Sequence, residues 1–233
     1  MKHCWLHQQG NQDCLLFFAG WGMCPEVFAD IPSGDIDVLM FHDYRGMEIE
    51  DLTSALAEGG GEAYRHVYLL SWSMGVWAAS LFFGKNSANL PSLFAAIAIG
   101  GTCSPIDDKL GLPEQNFAEM AEQLTPARVK AFHSSMFADE EHADRFALSF
   151  QRGERGVGEL QEELQALASA YRKGAEPSEI YTHKIVTGRD RIFPARNQVR
   201  AWGRTACRQL SLSHFPFYLW PNWSVMLQEL MSA

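Results

Sequence analysis

One short string carries the clearest chemistry. Ser71-Trp72-Ser73-Met74-Gly75 follows the apolar run Val67-Tyr68-Leu69-Leu70 and precedes Val76-Trp77-Ala78-Ala79. It reads as strand, tight turn, helix. A serine on such a strained turn needs small residues two positions before and after it, so that strand and helix can cross closely. Ser71 and Gly75 fill those positions, which makes Ser73 the candidate nucleophile. Ser71 stands where glycine is more usual. Were Ser71 the nucleophile, Leu69 would occupy a slot that needs a small side chain.

A serine hydroxyl needs a base to take its proton and an acid to hold that base. In elbow enzymes the chain order is Ser, acid, His, each at the end of a strand. Residues 184–187 (KIVT) read as a strand, and Gly188-Arg189-Asp190-Arg191-Ile192-Phe193-Pro194 follows. Asp190 is the only carboxylate between Glu179 and Glu229, so it is the candidate acid. Residues 209–212 (QLSL) read as the next strand, and Ser213-His214-Phe215 follows. His214 is the only histidine after Asp190, which makes it the candidate base. His133, His142 and His183 precede Asp190 and would break the order.

An oxyanion hole needs two backbone N–H groups facing the charge that develops on the carbonyl oxygen. One is expected from Met74, the residue after the nucleophile. The other is expected from the loop after an early strand, Phe18-Ala19-Gly20-Trp21-Gly22, whose glycines let the chain turn sharply. Trp21 is the candidate second donor, with its indole roofing the pocket.

The elements that must position these residues are short apolar runs at 14–19, 37–41, 67–71, 94–100, 184–187 and 209–212. Continuous rather than alternating hydrophobicity suits parallel strands covered on both faces. Helical patterns lie between most of them, at 49–58, 74–83, 194–207 and 223–231. This is an α/β layout with a mostly parallel sheet. Residues 103–178 break the alternation. They contain no convincing strand, and helical segments are expected at 114–124, 126–137, 140–150 and 157–173, with starts at Thr125-Pro126 and Ala138-Asp139. The expectation is an α/β-hydrolase core, residues 1–102 and 179–233, carrying an inserted helical cap, residues 103–178.

Composition agrees with one such unit. The chain has 233 residues, 47% hydrophobic, which is enough to build a core. Its formal charge of −9 argues against a nucleic-acid binder. The charge is uneven: residues 179–233 carry seven basic and three acidic side chains. Five cysteines, an odd number without a CxxC pair, support neither a disulfide framework nor a zinc ribbon. No histidine pairing suggests a metal site, and no cofactor is expected. The polar residues 1–13 hold no signal-peptide core, and the run 14–19 is too short to span a bilayer. A cytoplasmic monomer is expected.

With these residues in view, the sequence resembles the BioG-type pimeloyl-[acyl-carrier protein] methyl ester esterases. The resemblance runs along most of the chain. It includes Phe18-Ala19-Gly20-Trp21-Gly22, Asp43-Tyr44, Trp72-Ser73-Met74-Gly75-Val76-Trp77, Arg189-Asp190-Arg191-Ile192-Phe193 and Trp223-Ser224. It implies an α/β-hydrolase that removes the methyl group masking the far carboxylate of a pimeloyl chain on acyl carrier protein, in biotin synthesis. It also implies the triad Ser73, Asp190 and His214 and the oxyanion donors Trp21 and Met74.

An acidic carrier requires a local basic patch on this acidic protein. Arg196, Arg200, Arg204 and Arg208, four residues apart, would form a ridge on one long helix. Arg145, Arg152 and Arg155 form a second cluster in the cap, favoured by analogy with cap-docked carriers in related hydrolases. Phe117, Met120, Phe132, Met136, Phe137 and Phe146 form a pool of candidate walls for the acyl chain. The alternatives are a general short-chain carboxylesterase, an acyl thioesterase, or a non-catalytic module that binds an acyl carrier.

Overall fold

The computed structural model describes residues 1–46, 55–56, 64–86, 90–174 and 176–232. Seven strands form one sheet: β1 (Lys2–His7), β2 (Asp13–Phe18), β3 (Asp37–His42), β4 (His66–Trp72), β5 (Leu93–Ile99), β6 (His183–Thr187) and β7 (Arg208–Leu210). Their spatial order is β1-β3-β2-β4-β5-β6-β7. Only β1 pairs antiparallel; the other neighbours are parallel.

The continuous apolar runs have a direct cause. Successive strand side chains point to opposite faces, and both faces of this sheet are covered. Cys14, Leu16 and Phe18 of β2 enter one core cluster. Leu15 and Phe17, with Ala19 just beyond, enter the other. No face of β2 is free for a polar residue.

Helix α1 (Met74–Asn86) follows β4. Four helices then lie between β5 and β6: α2 (Glu114–Glu122), α3 (Pro126–Ser135), α4 (Glu140–Arg152) and α5 (Val157–Arg172). The expected starts hold. The Thr125 side chain accepts the Arg128 N–H, and the Asp139 carboxylate accepts the His142 N–H. Helix α6 (Ala195–Trp202) joins β6 to β7, and α7 (Trp223–Met231) ends the described chain.

Two sequence expectations change. The polar segment 1–13 contains strand β1, which the hydrophobic pattern did not reveal. It lies at the sheet edge, where little burial is demanded of it. The helix expected over 194–207 stops at Trp202, because Gly203 takes φ +82° and turns the chain. The arginine ridge is therefore cut: Arg204 lies past the turn and Arg208 lies in β7. The helix expected over 49–58 falls outside the described residues except for positions 55 and 56.

Candidate active site

Ser73 directly follows β4 with φ +57°, in the left-handed region that side chains rarely adopt. Its N–H donates to Ile99 O at 3.1 Å, which ties the turn to the end of β5. The turn is possible because its neighbours are small. A Cβ on Gly75 would collide with the carbonyls of Phe18 and Ala19, and one on Gly101 would collide with the Ser73 carbonyl.

His214 Nε2 lies 3.1 Å from Ser73 Oγ, and His214 Nδ1 lies 2.8 Å from Asp190 Oδ2. An ionised carboxylate only accepts, so Nδ1 carries the proton and Nε2 of the neutral ring accepts from the serine hydroxyl. The Asp190 carboxylate is itself fixed. Its Oδ1 accepts the N–H groups of Ile192 and Phe193, each at 2.8 Å. Its Oδ2 accepts the Thr187 hydroxyl at 2.6 Å and the Gln198 amide at 3.3 Å. The Trp72 indole donates to the His214 carbonyl at 2.7 Å, and the Phe193 ring lies nearly parallel to the imidazole. All three side chains are almost completely shielded from water.

Trp21 and Met74 line the same cavity as Ser73 and His214. Met74 opens α1, so its N–H has no acceptor within the helix. Among the described residues, neither the Trp21 nor the Met74 amide donates to a turn or loop carbonyl. The Trp21 indole donates to Leu160 O of α5 at 2.9 Å and packs edge-on against Phe132.

The cavity measures about 140 Å³. Of the expected wall residues, Phe117, Met120, Phe132 and Met136 line it. Phe137 and Phe146 do not; they pack with Phe215 in the core beneath. Leu112, Asn116, Leu164, Arg191 and Ile192 complete the walls and were not anticipated. Among the described residues, no three His, Cys, Asp or Glu side chains are grouped to hold a metal ion. No helix among them is long and apolar enough to cross a membrane.

The arginine candidates separate. Arg155 is largely covered. Its side chain is 7% exposed and pairs with fully buried Glu163 at 2.8 Å. Arg145 stacks over the Tyr218 ring at 3.9 Å, and Arg152 pairs with Asp30 at 2.9 Å. Arg196, Arg200 and Arg204 are exposed and line one groove with Val199 and Cys207. Arg208 donates to Glu229 O and Ser232 O and pins the end of α7.

Three buried polar residues that support the site escaped the sequence reading: Thr187 and Gln198 around Asp190, and Glu163 in α5. For Glu163 a signal existed. It sits between Leu160 and Leu164 on the apolar stripe of α5, where an unpaired charge would be very costly.

A mostly parallel sheet, a serine at a strained strand-to-helix turn and four helices between β5 and β6 define an α/β-hydrolase. Within that class, the chain belongs to the family described as Pimeloyl-ACP methyl esterase BioG, whose profile matches residues 1–226. The solved structure of BioG from Haemophilus influenzae superposes with a TM-score of 0.79 at 27% identity, covering 97% of this chain and 99% of that one. The RedJ thioesterase of Streptomyces coelicolor shares the fold alone, with a TM-score of 0.56 at 14% identity over 94% of this chain and 85% of that one. A malonyl-[acyl-carrier protein] O-methyltransferase of Bacteroides fragilis is 34% identical over 192 residues, which are 82% of this chain. The chain spans only 37% of that protein's length.

Proposed function

We propose that the protein is a serine esterase that cleaves the methyl ester of a pimeloyl chain on acyl carrier protein. It would release methanol and pimeloyl-[acyl-carrier protein] in biotin synthesis. The observation that carries this reading is the hydrogen-bonded chain Ser73–His214–Asp190 at the floor of a narrow, mainly apolar cavity. Membership of the esterase family supports the substrate class. So does likeness to part of a protein named for methyl transfer to a carrier-bound acyl group.

In this reading residues 103–178 form a cap over a core of residues 1–102 and 179–233. The acyl methylenes lie against Phe117, Met120, Phe132, Met136 and Leu164. Ser73 Oγ attacks the ester carbonyl while His214 Nε2 takes its proton. The N–H groups of Trp21 and Met74 stabilise the oxyanion that forms. Asp190 keeps the imidazole in the right tautomer and stabilises its cation without taking the proton. His214 then protonates the departing methoxide. Water, deprotonated by the same imidazole, attacks the acyl-enzyme and frees Ser73.

The test is direct. Methyl-pimeloyl carrier protein is incubated with the purified protein, and loss of the methyl group is followed by gel shift. Conversion is expected, and Ser73→Ala is expected to abolish it at an unchanged melting temperature. Wild-type conversion by Ser73→Ala would overturn the assignment. Much faster cleavage of a free p-nitrophenyl ester or an acyl thioester would make the protein a general esterase or a thioesterase instead.

A further inference from the structure

The buried pair Glu163–Arg155 has no part in the chemistry just described, yet it reaches the loop that carries Trp21. Glu163 lies in α5 and is fully buried. One carboxylate oxygen accepts the Gly22 N–H at 3.2 Å and the Arg155 guanidinium at 2.8 Å. The other accepts the Tyr44 N–H at 3.1 Å. Gly22 follows Trp21 directly. Tyr44 follows β3, and its hydroxyl donates to Ala19 O at 2.6 Å. A single carboxylate therefore holds the oxyanion loop directly, through Gly22, and indirectly, through Tyr44 and Ala19.

A second tether from the same helix supports this. Leu160, one turn before Glu163, offers its carbonyl to the Trp21 indole at 2.9 Å. The Gly22 position is equally constrained. Its φ is +77°, and a Cβ there would sit 3.3 Å from the Leu160 side chain. Burial raises the Glu163 carboxyl above the usual carboxylate range, and the Arg155 guanidinium and the Tyr44 amide oppose that rise. Arg155 also donates to Met23 O at 3.1 Å and lies 3.9 Å from Asp43. Asp43 in turn is held by Arg45 and Lys2. A buried carboxylate without its cation would be strongly disfavoured. Arg155 thus makes it possible for Glu163 to accept two backbone amides at once.

We infer that Glu163 and Arg155 are positioning residues for the oxyanion hole, through which cap helix α5 fixes the Trp21 amide. The pair touches no reacting atom. It acts by preorganising a donor, and preorganised donors are among the largest contributors to such catalysis. This inference rests on the proposed esterase reading, and it adds that the cap helix completes the catalytic centre as well as walling the pocket.

The test uses the full chain and a soluble p-nitrophenyl ester, so that carrier docking does not enter. Glu163→Gln keeps the shape but loses the charge and half of the acceptor capacity. It is expected to lower kcat by about 10- to 100-fold, less than outright loss of an oxyanion donor, with KM within about twofold. Affinity for a trifluoromethyl ketone, whose adduct places an oxyanion in the hole, is expected to fall in parallel with kcat/KM. Arg155→Met is expected to behave like Glu163→Gln, and Arg155→Lys to restore most of the activity. The Glu163→Gln/Arg155→Met double variant is expected to lose little more than either single one, because the pair acts as a unit.

A folded Glu163→Gln with wild-type kcat would overturn the inference, as would a kcat loss without weaker ketone binding. Should the variants fail to fold, amide exchange on the wild-type protein decides. The Gly22 and Tyr44 amides are expected to be strongly protected, and fast exchange at either overturns the clamp. Fluorophosphonate labelling of Ser73 separates the two levels. Without labelling the esterase reading falls and takes this inference with it; with labelling and an unaffected Glu163→Gln, only the clamp falls.

Discussion

His214 Nδ1 and Asp190 Oδ2 are 2.8 Å apart, and Asp190 is locked by the Ile192 and Phe193 amides on its other oxygen. That lock has a consequence for Asp190→Asn. The asparagine carbonyl would keep the two backbone amides, because only an acceptor can satisfy them. Its NH₂ group would then face His214 and force the proton onto Nε2, the wrong tautomer for taking a proton from Ser73. Asp190→Asn is expected to fold normally and to lose about 10⁴-fold in kcat. Steady-state kinetics with a melting curve checks both halves.

The crossing of β2 and α1 at Gly75 gives a prediction about stability. A methyl group at Gly75 would meet the backbone carbonyls of Phe18 and Ala19, which cannot rotate away as a side chain would. Gly75→Ala is expected to destabilise the protein by at least the ~1–3 kcal/mol typical of overpacking and to remove activity. Gly158, in the first turn of α5, has open space around it. Gly158→Ala is expected to be neutral or to stabilise by about 0.5–1 kcal/mol. Urea unfolding of the two variants provides the contrast.

The hydrogen-bonded set Ser73, His214 and Asp190 was legible because each residue sits in a local pattern at a strand end, and strand ends converge on one edge of a parallel sheet. Its supporting residues were not. Glu163 meets Gly22 and Tyr44 across 141 and 119 residues of sequence, and no local pattern encodes such a meeting. Arg155 resembled a surface arginine because its burial depends on that same distant arrangement. Strand β1 was missed because an edge strand needs little apolar surface. The end of α6 was readable in principle: Gly203 interrupts the helical period and is the residue that takes a positive φ.

Two histidines outside the candidate site contribute to the response to acid. Burial pushes the His133 ring down to about 4, among the rings of Phe146 and Phe150. Burial, reinforced by Arg155, pushes His42 down to about 4 as well. The folded protein keeps both neutral, whereas the unfolded chain takes up a proton near pH 6.5. Their stabilising effect is complete above about pH 6.5 and is lost as the pH falls toward 4. Asp43 acts in a lower window. Burial opposes its charge, but hydrogen bonds from Arg45 and Lys2 outweigh that and hold its carboxyl well below the usual carboxylate range. The melting temperature is expected to drop between pH 6.5 and 4, and His133→Phe is expected to shrink that drop. An unchanged pH profile in the variant would sink the assignment.

The last prediction concerns how an acidic carrier meets a protein of charge −9. With Arg155 tied to Glu163, the cluster of Arg145, Arg152 and Arg155 keeps two members, and both are engaged: Arg145 on Tyr218 and Arg152 with Asp30. Arg196, Arg200 and Arg204 line an open groove, and among the described residues none of them pairs with a carboxylate. Among the described residues Arg200 donates to the Lys109 carbonyl, a neutral partner that leaves its charge uncompensated. Rim charges act mainly on encounter and on its salt dependence. Arg196→Glu/Arg200→Glu is therefore expected to raise KM for the carrier-bound ester by about tenfold at low salt, a difference of ~1.4 kcal/mol. Added salt should narrow the gap, and the kinetics of a free p-nitrophenyl ester should not change. Arg152→Glu is expected to have the smaller effect, because its charge is already partly neutralised. The reverse ranking would place the carrier on α4.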